Sequence, residues 1–453
     1  MIRTIRSMVL TTAILMAAGA QGAETQNLMD LYQIALQRDA LYQNAQAQYL
    51  AAREAKPQAR SFLLPQVNAT GSVDRIRRDT SRESRFSGGT QAITTQKADT
   101  QNFTQTDLNL SVSQVLFDRG LFVGLDQADA TVAQAEAQVQ ASLQDLIVRL
   151  AQAYFDVLGA EDTLRFTEAE KDAVGRQLDQ ARKRFEVGLI AITDVKESQA
   201  NYDRTVSDEI VARNAIQIAS NTLSVIIGQY VEELSKLSDR MRLVSPDPDD
   251  PQAWIDKAWH ENLNLIATRF ATETARMEVK RQRAGHYPTL DLLASGSRLD
   301  QSGGSGFIDN TDKDLRIGAQ LNIPIFTGGL VSSRTREAQY NFEGAQDTFT
   351  QTRRETAKLA RDAYLNAISG ISEVRANKRR VESAKTAAEA TEAGFEVGTR
   401  TSVDVLIALQ GQFSAEREFA LSRYRYLLNT LRLKQAAGTL TVHDLQTINA
   451  WLD

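Results

Sequence analysis

Apolar residues recur along this chain at two periods, and segments of each period alternate. From about Gly120 to Phe185, Leu125, Val132, Val139 and Leu146 fall every seven residues, and Leu143, Leu150, Val157 and Leu164 form a second such row. One row makes a two-helix seam; two rows give a helix neighbours on two sides. An equivalent stretch runs from about Leu330 to Phe395. At 1.5 Å per residue, each predicts a helix roughly 100 Å long. No proline falls between 66 and 245 or between 325 and 453, as such helices require. Alanines such as Ala128, Ala133, Ala135 and Ala137 allow close approach of helix axes. Each long helix ends at a Val-Gly pair, where Gly188 and Gly398 suit the left-handed position after a C-terminus. Thr193, and in the other copy Thr401 or Ser402, can cap a returning helix. Thr401 and Asp404 have capping-box spacing, with Asp in place of the usual Glu or Gln. The returning helices are expected to run to about Leu243 and Ala437.

Between the helices the period drops to two. Asp107-Leu108-Asn109-Leu110-Ser111-Val112-Ser113 alternates strictly, and so does the run from Leu315 to Ile323. Weaker alternation follows Pro65 and Pro288. The expected strands are 65–75, 104–116, 288–298 and 314–325. Each is about ten residues, the length of a tilted transmembrane strand. A soluble, half-buried sheet alternates in the same way. Two features favour the membrane. Aromatics bracket the strands, with Phe62 and Tyr287 before them, Phe117 and Phe326 after, and Phe103 and Phe307 beside the connections. The connections 76–102 and 298–313 are long and polar. Four strands cannot close a barrel, and an open edge is not tolerated in lipid, so a barrel has to be shared between chains. A conducting pore argues for three chains, because an eight-stranded barrel is filled by its own side chains.

The pattern occurs twice. Phe185-Glu186-Val187-Gly188 with Asp194-Val195 matches Phe395-Glu396-Val397-Gly398 with Asp404-Val405, and Tyr154 matches Tyr364, all at an offset of 210. The chain therefore reads as a tandem duplication: repeats 24–244 and 252–453, joined by a Pro- and Asp-rich linker, 245–251.

Composition then narrows the class. The 453 residues carry a net charge of −5, with no basic patch suited to nucleic acid. Cysteine is absent, which excludes disulfides, thiolate catalysis and a lipid-modified N-terminal cysteine. Arg3 and Arg6 precede an apolar run from Met8 to Ala18, and residues 1–23 read as a secretory signal cleaved after Ala20 or Ala23. The apolar run is too short for a retained anchor, and no later segment approaches about 18 consecutive apolar residues. The three histidines, His260, His286 and His443, lack ligand spacing, and no phosphate loop or nucleophile motif is present. Neither a metal nor a cofactor is expected, and an exported enzyme is disfavoured. Trp254, Trp259 and Trp451 read as packing anchors.

The run Phe395-Glu396-Val397-Gly398-Thr399-Arg400-Thr401-Ser402-Val403-Asp404-Val405-Leu406 resembles the hairpin-tip signature of the TolC family of outer membrane channels. Leu189-Ile190-Ala191-Ile192-Thr193-Asp194-Val195 resembles its first-repeat counterpart, and Leu63-Leu64-Pro65-Gln66 and Arg423-Tyr424-Arg425-Tyr426-Leu427-Leu428-Asn429 resemble further segments. The resemblance implies an α+β membrane protein: a homotrimeric outer membrane β-barrel with four strands per chain, continued by a long periplasmic α-helical barrel of coiled-coil hairpins. It implies a collar around the middle, from about 24–60, 230–285 and 438–453. It also implies export of proteins (type I secretion) or of drugs and other small toxic molecules, with a periplasmic adaptor and an inner membrane pump of ABC or RND type. The adaptor-docking tips are expected at Val187, Gly188, Leu189, Val397, Gly398 and Thr399. A periplasmic adaptor is the rival reading; it normally has one hairpin, not a duplicated strand–helix unit.

By position, the resemblance implies a gate in which Arg400 reaches Thr193 and Asp194 of a neighbouring hairpin, Arg423 joins that network, and Asp404 rings the constriction. Phe395 stands where close relatives have a gate Tyr, and Ile407 where a second ring Asp is seen. The first implies a weaker closed state, the second a less negative constriction.

Overall fold

The computed structural model describes residues 25–86, 93–303 and 308–453, with the side chains of 81–99 left aside. The signal peptide and Phe307 lie outside the described residues. The described residues open with three short helices, α1 (Leu28–Arg38), α2 (Ala40–Arg53) and α3 (Ala55–Ser61). A hairpin of β1 (Gln66–Phe86) and β2 (Ile93–Phe117) follows, then the long α4 (Arg119–Glu186) and the returning α5 (Ile192–Ile227). The second half repeats the plan: α6 (Pro251–Glu261), α7 (Leu263–Arg283), β3 (Thr289–Gly303), β4 (Asn310–Asn322), α8 (Leu330–Glu396) and α9 (Ser402–Ala437), closed by α10 (Val442–Asn449). The long helices have 68 and 67 residues, and both returning helices have 36.

The strands form one antiparallel sheet in the order β1-β2-β3-β4. Three of the four reach further than the apolar alternation. β1 and β2 continue through the expected polar connection in unbroken register, because ladder pairing needs only backbone groups. The expected loop 298–313 is likewise shortened by pairing of Gln301 with Asn310. β4 stops at Asn322 rather than 325 because Pro324 has no N–H to donate. Phe103 is not a girdle residue. It is fully buried on the face opposite Leu108 and Leu110, beneath the Arg78 guanidinium at 5.3 Å. Phe62, Phe117, Tyr287 and Phe326 remain exposed at the helix end of the sheet.

Helix α5 ends at Ile227, well short of Leu243, because Gly228 adopts φ +69 and terminates it. Gly438 ends α9 in the same way, again 210 residues on. Helix α5 also revises the expectation about membrane spans, since it is long and apolar enough to cross a bilayer by length and composition alone.

The main core lies midway along the helices. Leu146, Leu150, Tyr154 and Leu158 of α4 meet Leu427 and Leu431 of α9, Leu28 and Leu31 of α1, and Ile227. Tyrosine hydroxyls fasten the segment between α5 and α6 to this frame. Tyr154 donates to the Ser235 carbonyl (2.6 Å), Tyr364 to the Asp249 carboxylate (2.6 Å), and Tyr426 to the Val244 carbonyl (3.0 Å). Trp254 is buried and donates to the Pro248 carbonyl at 2.8 Å. Trp259 lies under the Arg353 guanidinium, and Trp451 packs on the main core.

Candidate functional site

The two hairpin tips are built alike. After α4, the Gly188 N–H bonds the Phe185 carbonyl (2.9 Å) and the Leu189 N–H the Arg184 carbonyl (2.8 Å), with Gly188 at φ +77. After α8, Gly398 at φ +80 bonds Phe395 (3.2 Å), and Thr399 bonds Gly394 (2.8 Å). These bonds satisfy the orphan carbonyls of both helix ends. They leave Val187, Leu189 and Val397 projecting, each at least 70 % exposed. These exposed apolar side chains on a tight turn belong to no core within the chain.

The returning helices begin differently. Thr401 caps α9: its hydroxyl accepts from the Asp404 N–H (3.2 Å), while the Asp404 carboxylate accepts from the Thr401 N–H (3.0 Å) and hydroxyl (2.9 Å). Ser402, the other candidate cap, is buried. In the first repeat the cap position is Ala191, which has no side-chain acceptor, so Thr193 is not a cap and lies exposed inside α5. Asp194 occupies the first turn beside it, where a carboxylate is favoured by the helix dipole. The backbone N–H of Thr401 holds the Asp404 carboxyl below its ordinary pKa, helped by the Thr401 hydroxyl and Arg400. Asp404 is therefore an anion at neutral pH, and Ile407 beyond it is 64 % exposed.

Within one chain the expected gate residues are not all brought together. Arg400 is exposed at the tip, and among the described residues its side chain makes no hydrogen bond. Arg423 lies 19 residues beyond Asp404 on α9, about 28 Å along the helix at 1.5 Å per residue. There it donates to the Ser238 carbonyl (2.5 Å) and pairs with Asp239 (3.3 Å). Its partner is the segment after α5, not the tip.

One tip contact has no forerunner in the sequence reading. The Arg184 guanidinium of the first hairpin stacks on the Phe395 ring of the second at 4.1 Å and donates to the Phe395 carbonyl at 3.4 Å. Phe395 is 4 % exposed beneath it. Position alone suggests only that Arg184 offsets the dipole at the end of α4. The two residues lie 211 apart, so only folding brings them together. Further up, Glu170 is buried between α4 and its neighbours, and that burial raises its pKa, with Arg417 and Arg204 opposing the shift.

Comparison with known proteins agrees with this architecture. The family model described as outer membrane efflux protein matches residues 31–229 and 254–439. The chain is 37% identical over 433 residues to the outer membrane protein TolC of Vibrio cholerae, covering 94% of each. It is 30% identical to the alkaline protease secretion protein AprF of Pseudomonas aeruginosa, over 93% of this chain and 86% of that one. The outer membrane channel CmeC of Campylobacter jejuni superposes with a TM-score of 0.75, covering 99% of this chain and 98% of that one at 15% identity, a likeness of fold. These relatives are outer membrane and secretion proteins, not enzymes, and none is an adaptor. A four-stranded sheet feeding duplicated helical hairpins, matched over nearly the whole chain by such relatives, identifies it as an outer membrane channel belonging to the outer membrane efflux protein family.

Proposed function

We propose that three copies assemble as a homotrimer, with twelve strands closing one barrel and α4, α5, α8 and α9 of each copy continuing it as a periplasmic tunnel. The observation that carries this reading is the open sheet: β1 and β4 each keep one unpaired edge, which lipid does not tolerate. Helix α5 supports it. Val211, Ile218 and Val225 fall seven residues apart and are 67%, 58% and 81% exposed, an apolar seam with no cover inside the chain. A neighbouring copy's α8 is the natural cover. On this reading residues 24–244 and 252–453 are the two repeats about the 245–251 linker, and the collar comprises 24–60, 230–285 and 438–453.

The tunnel is a passive conduit closed at its tips. Arg400 reaches across the subunit boundary to Thr193 and Asp194 of the next copy, and three copies of Asp404 ring the constriction. Within each chain Arg184 holds Phe395, in place of the hydrogen bond a tyrosine would make. Arg423 contributes by fixing α9 to the collar rather than by touching Arg400. Partly exposed ion pairs give only about 0.2–1 kcal/mol each, so a docked partner can release the gate. Val187, Gly188, Leu189, Val397, Gly398 and Thr399 would meet a periplasmic adaptor serving an ABC or RND pump. Type I secretion and efflux are both consistent with the relatives.

Single-channel recording in a planar bilayer tests the reading. Wild type should give a small, cation-selective conductance that rises several-fold in Arg400→Ala. An unchanged conductance would remove the gate assignment, and no conductance from folded protein would remove the barrel.

A further inference from the structure

At the outer end of the sheet, charges are sorted by face. The register places Ala69, Leu110, Gly296 and Leu315 in one row across the strands, and Gly71, Leu108, Arg298 and Lys313 in the next. This is the apolar side, which faces lipid when such a sheet closes in a membrane. From that second row outward it carries Arg298, Lys313, Arg75 and Arg77 against Asp300 and Asp79. Among the described side chains, the opposite, lumen-facing side of the same strands has the reverse balance: Asp74, Asp107, Asp312 and Asp314 against Arg78 and Arg316.

We propose that the lipid-facing cations form a binding site for the phosphate groups of an outer-leaflet lipid, centred on Arg298 and Lys313 and extended by Arg75 and Arg77. Arg298 and Lys313 are directly opposite on paired strands, where like charges repel. Asp300 offsets only part of this. It pairs with Arg298 at 2.8 Å and accepts from the Thr311 hydroxyl at 2.8 Å. Lys313 makes no hydrogen bond or ion pair among the described residues. Arg75 donates to the Thr104 hydroxyl at 2.9 Å, and Arg77 is 3.7 Å from Asp79. An anion is the missing partner. A guanidinium takes phosphate bidentately, and an ammonium adds a compact charge.

The depth of the pair in the bilayer selects the source. Arg298 lies eleven residues beyond Tyr287, the exposed aromatic at the helix end of the sheet. At about 3.3 Å per residue and a strand tilt of roughly 40°, that is about 28 Å across the membrane, just past an apolar band about 25 Å tall and so at the outer headgroup level. Below the pair, the small residues Ala69 and Gly296 flank Leu110 on the neighbouring strands, and an open groove of about 410 Å³ runs there. Such a dent accepts an acyl chain while the cations above it hold the phosphate. A soluble anion would have no use for the apolar groove.

The test uses the full chain purified as an active channel. Native mass spectrometry would compare hexa-acylated lipid A carrying both phosphates with the same lipid after phosphate removal. Wild type should prefer the phosphorylated form at least ten-fold. The Arg298→Gln/Lys313→Gln double variant should lose that preference, while Arg316→Gln on the lumen side keeps it. Equal binding of the two lipids by wild type, or an undiminished preference in the double variant, overturns the proposal. Conductance recorded on the same samples separates loss of the barrel from loss of the lipid site. If the double variant forms no channels, Lys313→Gln alone, which breaks no ion pair, is read by the same criteria.

Discussion

Phe185 and Phe395 occupy equivalent positions in the two repeats, yet one is 42% exposed and the other 4%. Arg184 covers Phe395, whereas the residue equivalent to Arg184 in the second repeat is Gly394. A side chain at 394 would have its Cβ 2.8 Å from the Arg400 Cγ, so that space is already taken by Arg400. The tip is thus clamped within a chain by Arg184, and on the proposed gate Arg400 acts between chains. A cation–π contact of this kind contributes about 0.5–1 kcal/mol when partly exposed. Arg184→Ala should therefore raise the open probability in single-channel records, and Arg184→Lys should raise it less. Ile407→Asp should strengthen block by polyvalent cations, and Phe395→Tyr should lower conductance; a profile that neither substitution changes would count against the gate reading. Between α4 and the start of α2, Arg149 meets the Asp39 carboxylate with two hydrogen bonds of 3.0 Å, and the same carboxylate caps α2 through the Tyr42 N–H. Burial works to raise the Asp39 pKa, but Arg149 and the Tyr42 amide outweigh it, so the folded value is depressed. A depressed carboxylate stabilises fully above its unfolded pKa of about 3.9 and loses that contribution as pH falls through the folded value. Asp39→Asn should cost about 3 kcal/mol at neutral pH. In thermal unfolding, its gap from wild type should narrow below about pH 4.

At the scale of elements, glycines decide where helices stop. Gly228 and Gly438 both take positive φ, but only Gly438 is closely overlaid: a Cβ there would collide with the Glu261 carbonyl at the α6–α7 break. Gln144 donates to the Gly438 and Leu440 carbonyls at 2.9 and 3.0 Å, and Asn262 donates to Ala436 at 2.9 Å. Gly438→Ala should lower the thermal midpoint markedly, because strain and collision add, with backbone strain alone worth about 1–3 kcal/mol. Gly228→Ala, whose Cβ would meet only the flexible Arg38 side chain at 3.4 Å, should cost less. The repeat-equivalent Tyr154 and Tyr364 donate to different acceptors, Ser235 and Asp249, on the one segment that crosses between the repeats. Duplication preserved the hydroxyl, and the connecting segment supplies both acceptors.

For the whole molecule, the apolar α5 reads as a membrane span by composition, yet it runs antiparallel beside α4 in a hairpin far from the sheet. In the proposed trimer its exposed row is a subunit seam. On the proposed trimer, Ile218→Lys would place a charge in that seam and should convert a heat-resistant trimer to monomer on semi-native gels. The open sheet and the uncovered helix face make the same demand, since neither the ladder nor the seam closes within one chain.

The sequence by itself determined the duplication, the helix lengths, the alternating core of each strand, both Val-Gly turns and the Thr401–Asp404 cap. All of these rest on local periodicity, left-handed glycine positions or residues within one turn of each other. It misplaced the end of α5, although Gly228 stands 210 residues before Gly438 and marked the stop. It assigned Phe103 to a girdle, because an aromatic beside a loop looks the same on either face until parity is fixed by register. Only the tertiary structure decided that Arg184 covers Phe395, that Arg423 holds the segment after α5, and that the outer cations share one face of the sheet. Those arrangements join residues from different repeats or strands. Their energies come from stacking, charge and register across long sequence separations, which no local pattern records.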